Sequence, residues 1–316
     1  MSDLMAVSRS HISILAILSV LSLLLSGCSG QNSLFGNRAA RGDVSGTVYH
    51  SGNQGLVMRF IEGSPPVSLY QTDPLDVVVE YSNKGATNIE SAYMYISGYD
   101  KQYITFLNDW TTFRSDGKSE FNPRGEIVDT FTFHDDAVNT PFGTDKYTPQ
   151  FIVSACYKYK TEASATICID PDPYNIQPKI KACKVQSTSM STQGAPVAVT
   201  GVDEVISRNR VQFTITVSNV GGGDLISNTA AIENCHSLLQ TVDMNRLDIR
   251  ASFSDKPLIC RPSPVRLTGS SGIVVCTYEG DLGKDAYQTA LNIELYYGYR
   301  SSINTKTDIY RLPGQE

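Results

Sequence analysis

Apolar and polar positions alternate along much of the chain, and two of the alternating stretches are near copies. In "VVVEYSNKG" the residues Leu75, Val77, Val79 and Tyr81 occupy every second position, and "FTITVSNVG" repeats this with Val211, Phe213, Ile215 and Val217. Asn83 and Gly85 recur as Asn219 and Gly221, an offset of 136 throughout. A period of two predicts a strand with one buried face. The Asn-x-Gly behind it supplies residues tolerant of positive φ where the chain turns. Later in each half, "YKYK" at 157–160 matches "YGYR" at 297–300, and Ile169 matches Ile309, an offset of 140. Phe151, Val153, Ala155, Tyr157 and Tyr159 then share one face, repeated by Leu291, Ile293, Leu295, Tyr297 and Tyr299.

Repetition at so long a period predicts duplicated domains, since a solenoid unit spans only about 20–50 residues. The first half offers strands at 47–50, 55–61, 75–82, 89–97, 102–106, 126–133, 149–159 and 165–169. The second offers 178–186, 210–218, 245–253, 264–268, 272–278, 287–299 and 304–311. The expected class is therefore all-β, with two packed antiparallel sheets in each half. The expected organisation is one sandwich at 47–170, a semi-rigid proline-rich linker at 171–178, and a second sandwich at 179–316. With Asn83 and Gly85, and Asn219 and Gly221, closing an alternating strand, each half resembles the CARDB-like and related immunoglobulin-like domains of prokaryotic surface proteins. The resemblance implies tandem extracellular modules that act as spacers or adhesive surfaces. It supplies no binding residue.

The N-terminus adds an address. "ISILAILSVLSLLL" at 12–25 has the length of a secretory apolar region and is short for a permanent membrane span. The following Leu25-Ser26-Gly27-Cys28 resembles the lipobox of prokaryotic lipoproteins. That resemblance implies a signal peptide at 1–27, diacylglyceryl transfer to the Cys28 thiol, and a membrane anchor at the first mature residue. Asp3 and a single Arg9 make the leader weakly basic, and an uncleaved signal anchor is the alternative; both place the folded part outside the cytoplasm. Residues 28–46, rich in Gly, Ser and Asn, read as a flexible tether.

Seven cysteines leave six after Cys28: Cys156, Cys168, Cys183, Cys235, Cys260 and Cys276. An even number without C-x-x-C spacing in an exported chain points to disulfides. A hairpin turning at Thr161 to Ala163 would set Cys156 opposite Cys168. Of the three connectivities left, we take Cys183 with Cys235 and Cys260 with Cys276.

A net charge of −6 without a basic run makes nucleic acid an improbable partner. No catalytic motif or cofactor loop occurs, and "GGGD" at 221–224 reads as a permissive turn. His50, His134 and His236 stand at loops or strand ends; His134, Asp135 and Asp136 supply too few ligands on one face to hold a metal. Seventeen tyrosines are the anomaly, in runs such as "YMYISGYDKQY" at 93–103 and "YYGY" at 296–299. About half have inward parity, whereas Tyr296 points outward as a candidate platform for a glycan ring or a partner protein. The expected function is a non-enzymatic, lipid-anchored surface protein, attached through the lipid on Cys28, that binds an envelope protein or glycan. The alternatives are an extracellular hydrolase or metal-dependent enzyme with an interdomain site, or a subunit of an envelope assembly.

Overall fold

A computed structural model of the chain describes residues 49–176, 179–207, 209–235 and 239–313. The leader, Cys28, the tether at 28–46 and His236 lie outside the described residues. Those from the first half form β1 (Leu56–Phe60), β2 (Ser68–Tyr70), β3 (Leu75–Asn83), β4 (Ile89–Ser97), β5 (Trp110–Ser115), β6 (Asp129–Asp135), β7 (Lys146–Tyr147) and β8 (Gln150–Ile169). The second half begins with β9 (Thr188–Ser189), β10 (Val197–Ser207), β11 (Arg210–Asn219), β12 (Asp224–Ile226) and β13 (Arg246–Phe253). It continues with β14 (Lys256–Pro257), β15 (Ile259–Arg261), β16 (Val265–Arg266), β17 (Ser271–Glu279), β18 (Tyr287–Lys306) and β19 (Asp308–Tyr310). The all-β expectation holds.

The two copied phrases are β3 and β11, each the centre of its sheet: β1-β3-β6 in the first half and β15-β17-β11-β10-β9 in the second. Their inward residues, Val77 and Val79 or Phe213 and Ile215, are fully buried. A second layer in each half is built by β4 with β5, and by β13 with β14.

The separate domains expected at 47–170 and 179–316 are corrected by the join. β8 and β18 pair along all 20 residues of each, from Gln150 opposite Lys306 to Ile169 opposite Tyr287. The second layers thereby fuse into one sheet, ordered β14-β13-β18-β8-β4-β5, over a continuous core. Lys158 lies opposite Gly298, the position that the repeat offset of 140 makes its equivalent, so a pseudo-two-fold axis passes between them. The halves also exchange a strand at the C-terminal end. β19 leaves the second half to pair with β2 and β7 of the first, and burial of Ile309 fixes it there. The segment at 171–178 therefore does not space two independent bodies.

Reading 149–159 and 165–169 as two strands of a hairpin also fails. Thr161, Glu162 and Ala163 carry no turn-forming residue, and the buried parity runs on through Thr161, Ala163, Ala165 and Ile167. Cys156 and Cys168 therefore sit on one straight strand, about 40 Å apart at the usual rise of ~3.3 Å per residue, and cannot bridge. Cys156 instead bonds Cys235, and Cys168 bonds Cys183, which corrects the Cys183–Cys235 assignment as well. Cys260 and Cys276 are bonded, directly opposite each other on β15 and β17.

Strand β10 escapes the alternation rule because an extra residue at Thr200 shifts its register between Val199 and Gly201, so that the inward parity changes from odd to even. The expected strand at 102–106 is a turn, in which the Asp100 side chain accepts from the Gln102 N–H at 2.9 Å.

Candidate binding groove

The inward tyrosines form the pivot of the fold. Tyr157, Tyr159, Tyr297 and Tyr299 surround the pseudo-axis with neighbouring ring centroids 5.7–6.3 Å apart. The Tyr159 hydroxyl donates to Asn83 Oδ1 at 3.3 Å and accepts from the Thr87 N–H at 3.2 Å. Tyr299 repeats this on Asn219 at 2.9 Å and the Gly223 N–H at 2.8 Å. The other pair uses hydroxyl partners: Tyr157 with Ser301 at 3.5 Å and Tyr297 with Thr161 at 2.8 Å. Burial pushes all four phenols up, Tyr299 to about 12, so they remain protonated donors at ordinary pH. The quartet is structural, because every hydroxyl is engaged within the fold.

The network also corrects the reading of the Asn-x-Gly motif. Neither Gly85 nor Gly221 has positive φ. A Cβ on Gly85 would lie 1.9 Å from the Tyr159 hydroxyl, and one on Gly221 would lie 2.7 Å from that of Tyr299. Glycine stands there to admit a tyrosine.

On its outer side the fused sheet is only half open. Residues 227–235, which follow β12, cross the face of β8 and β4 as a strap. Cys156–Cys235 ties it down, the Tyr95 hydroxyl donates to the Glu233 carbonyl, and Lys158 Nζ donates to the Ala230 carbonyl at 2.6 Å. Tyr296, the equivalent of Cys156, lies on the uncovered side. Its hydroxyl donates to Glu294 at 2.8 Å, and the Arg250 guanidinium lies 5.0 Å from its ring centroid. One face of the proposed platform is thus occupied by an arginine of its own chain.

His134 is also engaged internally. Its ring nitrogens meet Asp76 at 2.6 Å and Asp136 at 3.1 Å, and these carboxylates raise its pKa. Asp135 points the other way, into the core, accepting from the Thr105 and Ala137 N–H groups at 2.5 and 3.0 Å. All these partners belong to the first half. Among the described residues no three His, Cys, Asp or Glu side chains gather as a metal site requires. "GGGD" is a turn that leads into β12, with Asp224 paired to Arg300 at 2.7 Å.

A groove that the sequence did not single out opens where the exchanged strand β19 lies against β2. It encloses about 420 Å³ and is lined by Pro66, Ser68, Leu69, Tyr70, Asp73, Pro74 and Tyr310. Parallel pairing sets Ile309 beside Leu69, both turned inward, and so places Tyr70 and Tyr310 side by side on the outer face. Their rings lie 6.4 Å apart and remain 53% and 38% exposed. The turn after β2 is tightened by Asp73, whose Oδ2 accepts from the Tyr70 N–H at 2.7 Å. That turn forces Thr72 to φ 74°, a strained conformation for a β-branched residue of the kind that collects at functional sites. Lys146 sits over the Tyr310 ring at 5.6 Å but is bound to Asp308 at 2.8 Å; the pair raises the lysine pKa and lowers that of the aspartate. The sequence signal was Tyr70 between Pro65-Pro66 and Pro74. Its partner is nearly a whole chain away.

Three disulfides mark an oxidising, extracytoplasmic environment. Among the described residues no helix is long and apolar enough to cross a membrane. No protein-family model matches the chain, and no curated protein matches it at significance; the CARDB-like resemblance rests on the two Asn-x-Gly strands alone.

Proposed function

We propose that the protein is a non-enzymatic, lipid-anchored binding protein of the cell exterior, and that the groove between β2 and β19 takes a ring of a neutral glycan. The tyrosine pair carries this reading: two phenol rings on adjacent strands offer apolar faces to the C–H face of a sugar. Asp73 and Ser68 add acceptors for its hydroxyls. Lys146, the cation over the Tyr310 ring, is neutralised by Asp308, which favours an uncharged ligand over an anionic one. Leu25-Ser26-Gly27-Cys28 supports the anchor, and the three disulfides support the compartment. The equivalence of β3 with β11 and of β8 with β18 supports descent from a duplicated immunoglobulin-like sandwich of the CARDB-like kind.

Retention on immobilised neutral polysaccharides tests the ligand. The native protein is expected to be retarded, with Tyr70→Ala or Tyr310→Ala each weakening binding about five- to tenfold, since stacking on one aromatic ring is worth roughly 1–1.5 kcal/mol. Equal retardation of the double variant would remove the groove from consideration. Intact mass of the membrane-extracted protein, compared with Cys28→Ala, tests the anchor.

A further inference from the structure

The outer faces of the two copied sheets differ. In the first half this face is closed by charge: Arg59 with Glu80 at 2.6 Å and His134 with Asp76. In the second the ion pair of Arg210 with Glu279 at 3.7 Å stands at one end, and exposed apolar side chains lie beside it. Val205, Ile259 and Ile273 stand 61%, 67% and 60% exposed on this face. Their exposure is set by register, since the alternate residues Cys260, Val274 and Cys276 turn into the core. One row across the four strands β15, β17, β11 and β10 reads Arg261, Val275, Thr214, Asp203, and the next reads Ile259, Thr277, Gln212, Val205. The first row has an exposed cation at one end and an exposed anion at the other. Among the described residues neither side chain has an ion pair or hydrogen-bond partner.

We propose that this face is an isologous interface with a second copy of this chain. A two-fold axis parallel to the strands, lying between two facing sheets and over the gap between β11 and β17, reverses the order of each row. Arg261 of one copy then meets Asp203 of the other, and Asp203 meets Arg261. Ile259 meets Val205 in both directions, while Thr214 and Val275 meet at the centre. The face is complementary to itself. Four strands at ~4.8 Å spacing and about seven residues at ~3.3 Å bury on the order of 1,000 Å² in total, at the lower edge of specific interfaces. An interface of that area puts the expected dimer among weak, transient ones.

Sedimentation equilibrium of Val44–Glu316, a compact unit in itself, tests it. A monomer–dimer equilibrium is expected. Asp203→Arg and Arg261→Asp each weaken it at least tenfold, while the double exchange restores it to within a few fold of the native value. Thr214→Arg abolishes it, and an unchanged melting temperature shows that the variant still folds. A protein that stays monomeric at several hundred micromolar, a dimer indifferent to Thr214→Arg, or a double exchange no better than the single variants would each overturn the proposal.

Discussion

Gly85 shows how a residue can be legible in kind but not in reason. Its repetition at Gly221 is plain in the sequence, yet a turn and a tyrosine socket leave the same letter. Only the socket predicts the penalty. Gly85→Ala places a methyl against the Tyr159 hydroxyl and the carbonyl oxygens of Gln54 and Gly194, and is expected to cost at least about 1–3 kcal/mol in denaturant unfolding. Glu204 yields a pH-dependent prediction. It turns inward on β10, its Oε1 has no hydrogen-bond partner, and Oε2 accepts from the Cys168 N–H at 3.4 Å. Burial pushes its carboxyl up to about 7, against only a small lowering by that N–H. The folded chain thus holds a proton up to about pH 7 that the unfolded chain releases near 4.5. Its contribution to stability is fully present below 4.5 and is lost as the pH rises through about 7. Glu204→Gln is expected to flatten this fall, as read from melting temperatures measured between pH 4 and 8.

At the scale of elements, alternation revealed the faces of β3, β8, β11 and β18, because parity is a local property. It did not reveal which strands meet. The alternation from Phe151 through Ile169 marks one unbroken strand, whereas the spacing of Cys156 and Cys168 mimics a hairpin that turns at Thr161 to Ala163. The bulge hid β10 because alternation cannot survive an added residue. Pairing is non-local, so neither the strap nor the groove was visible. The strap offers a direct check. Cys156–Cys235 spans 79 residues and Cys168–Cys183 spans 15. A chain-entropy account gives about 4.5 kcal/mol for the first and about 3 for the second. Replacing both cysteines of the longer bridge with Ala is expected to destabilise more, and to expose the amides under the strap to hydrogen exchange.

For the whole molecule, the duplication was readable and its outcome was not. Two sandwiches on a linker would unfold as two bodies. A shared sheet joined by a tyrosine quartet at the axis makes the halves depend on each other. Calorimetry is therefore expected to show one transition. Phe133→Ala in the first half and Phe213→Ala in the second, both fully buried, should each lower that same transition by about 3–5 kcal/mol. Two resolved peaks, only one of which moves with each substitution, would contradict a merged core.

The placement of Ile309 beside Leu69 has a consequence for biogenesis. A ribosome makes Leu69 early and Ile309 late, so the first half must wait, incomplete, until the tail of the second is delivered. The pairing of β2 with β19 thus closes late, after the strands between them have been made.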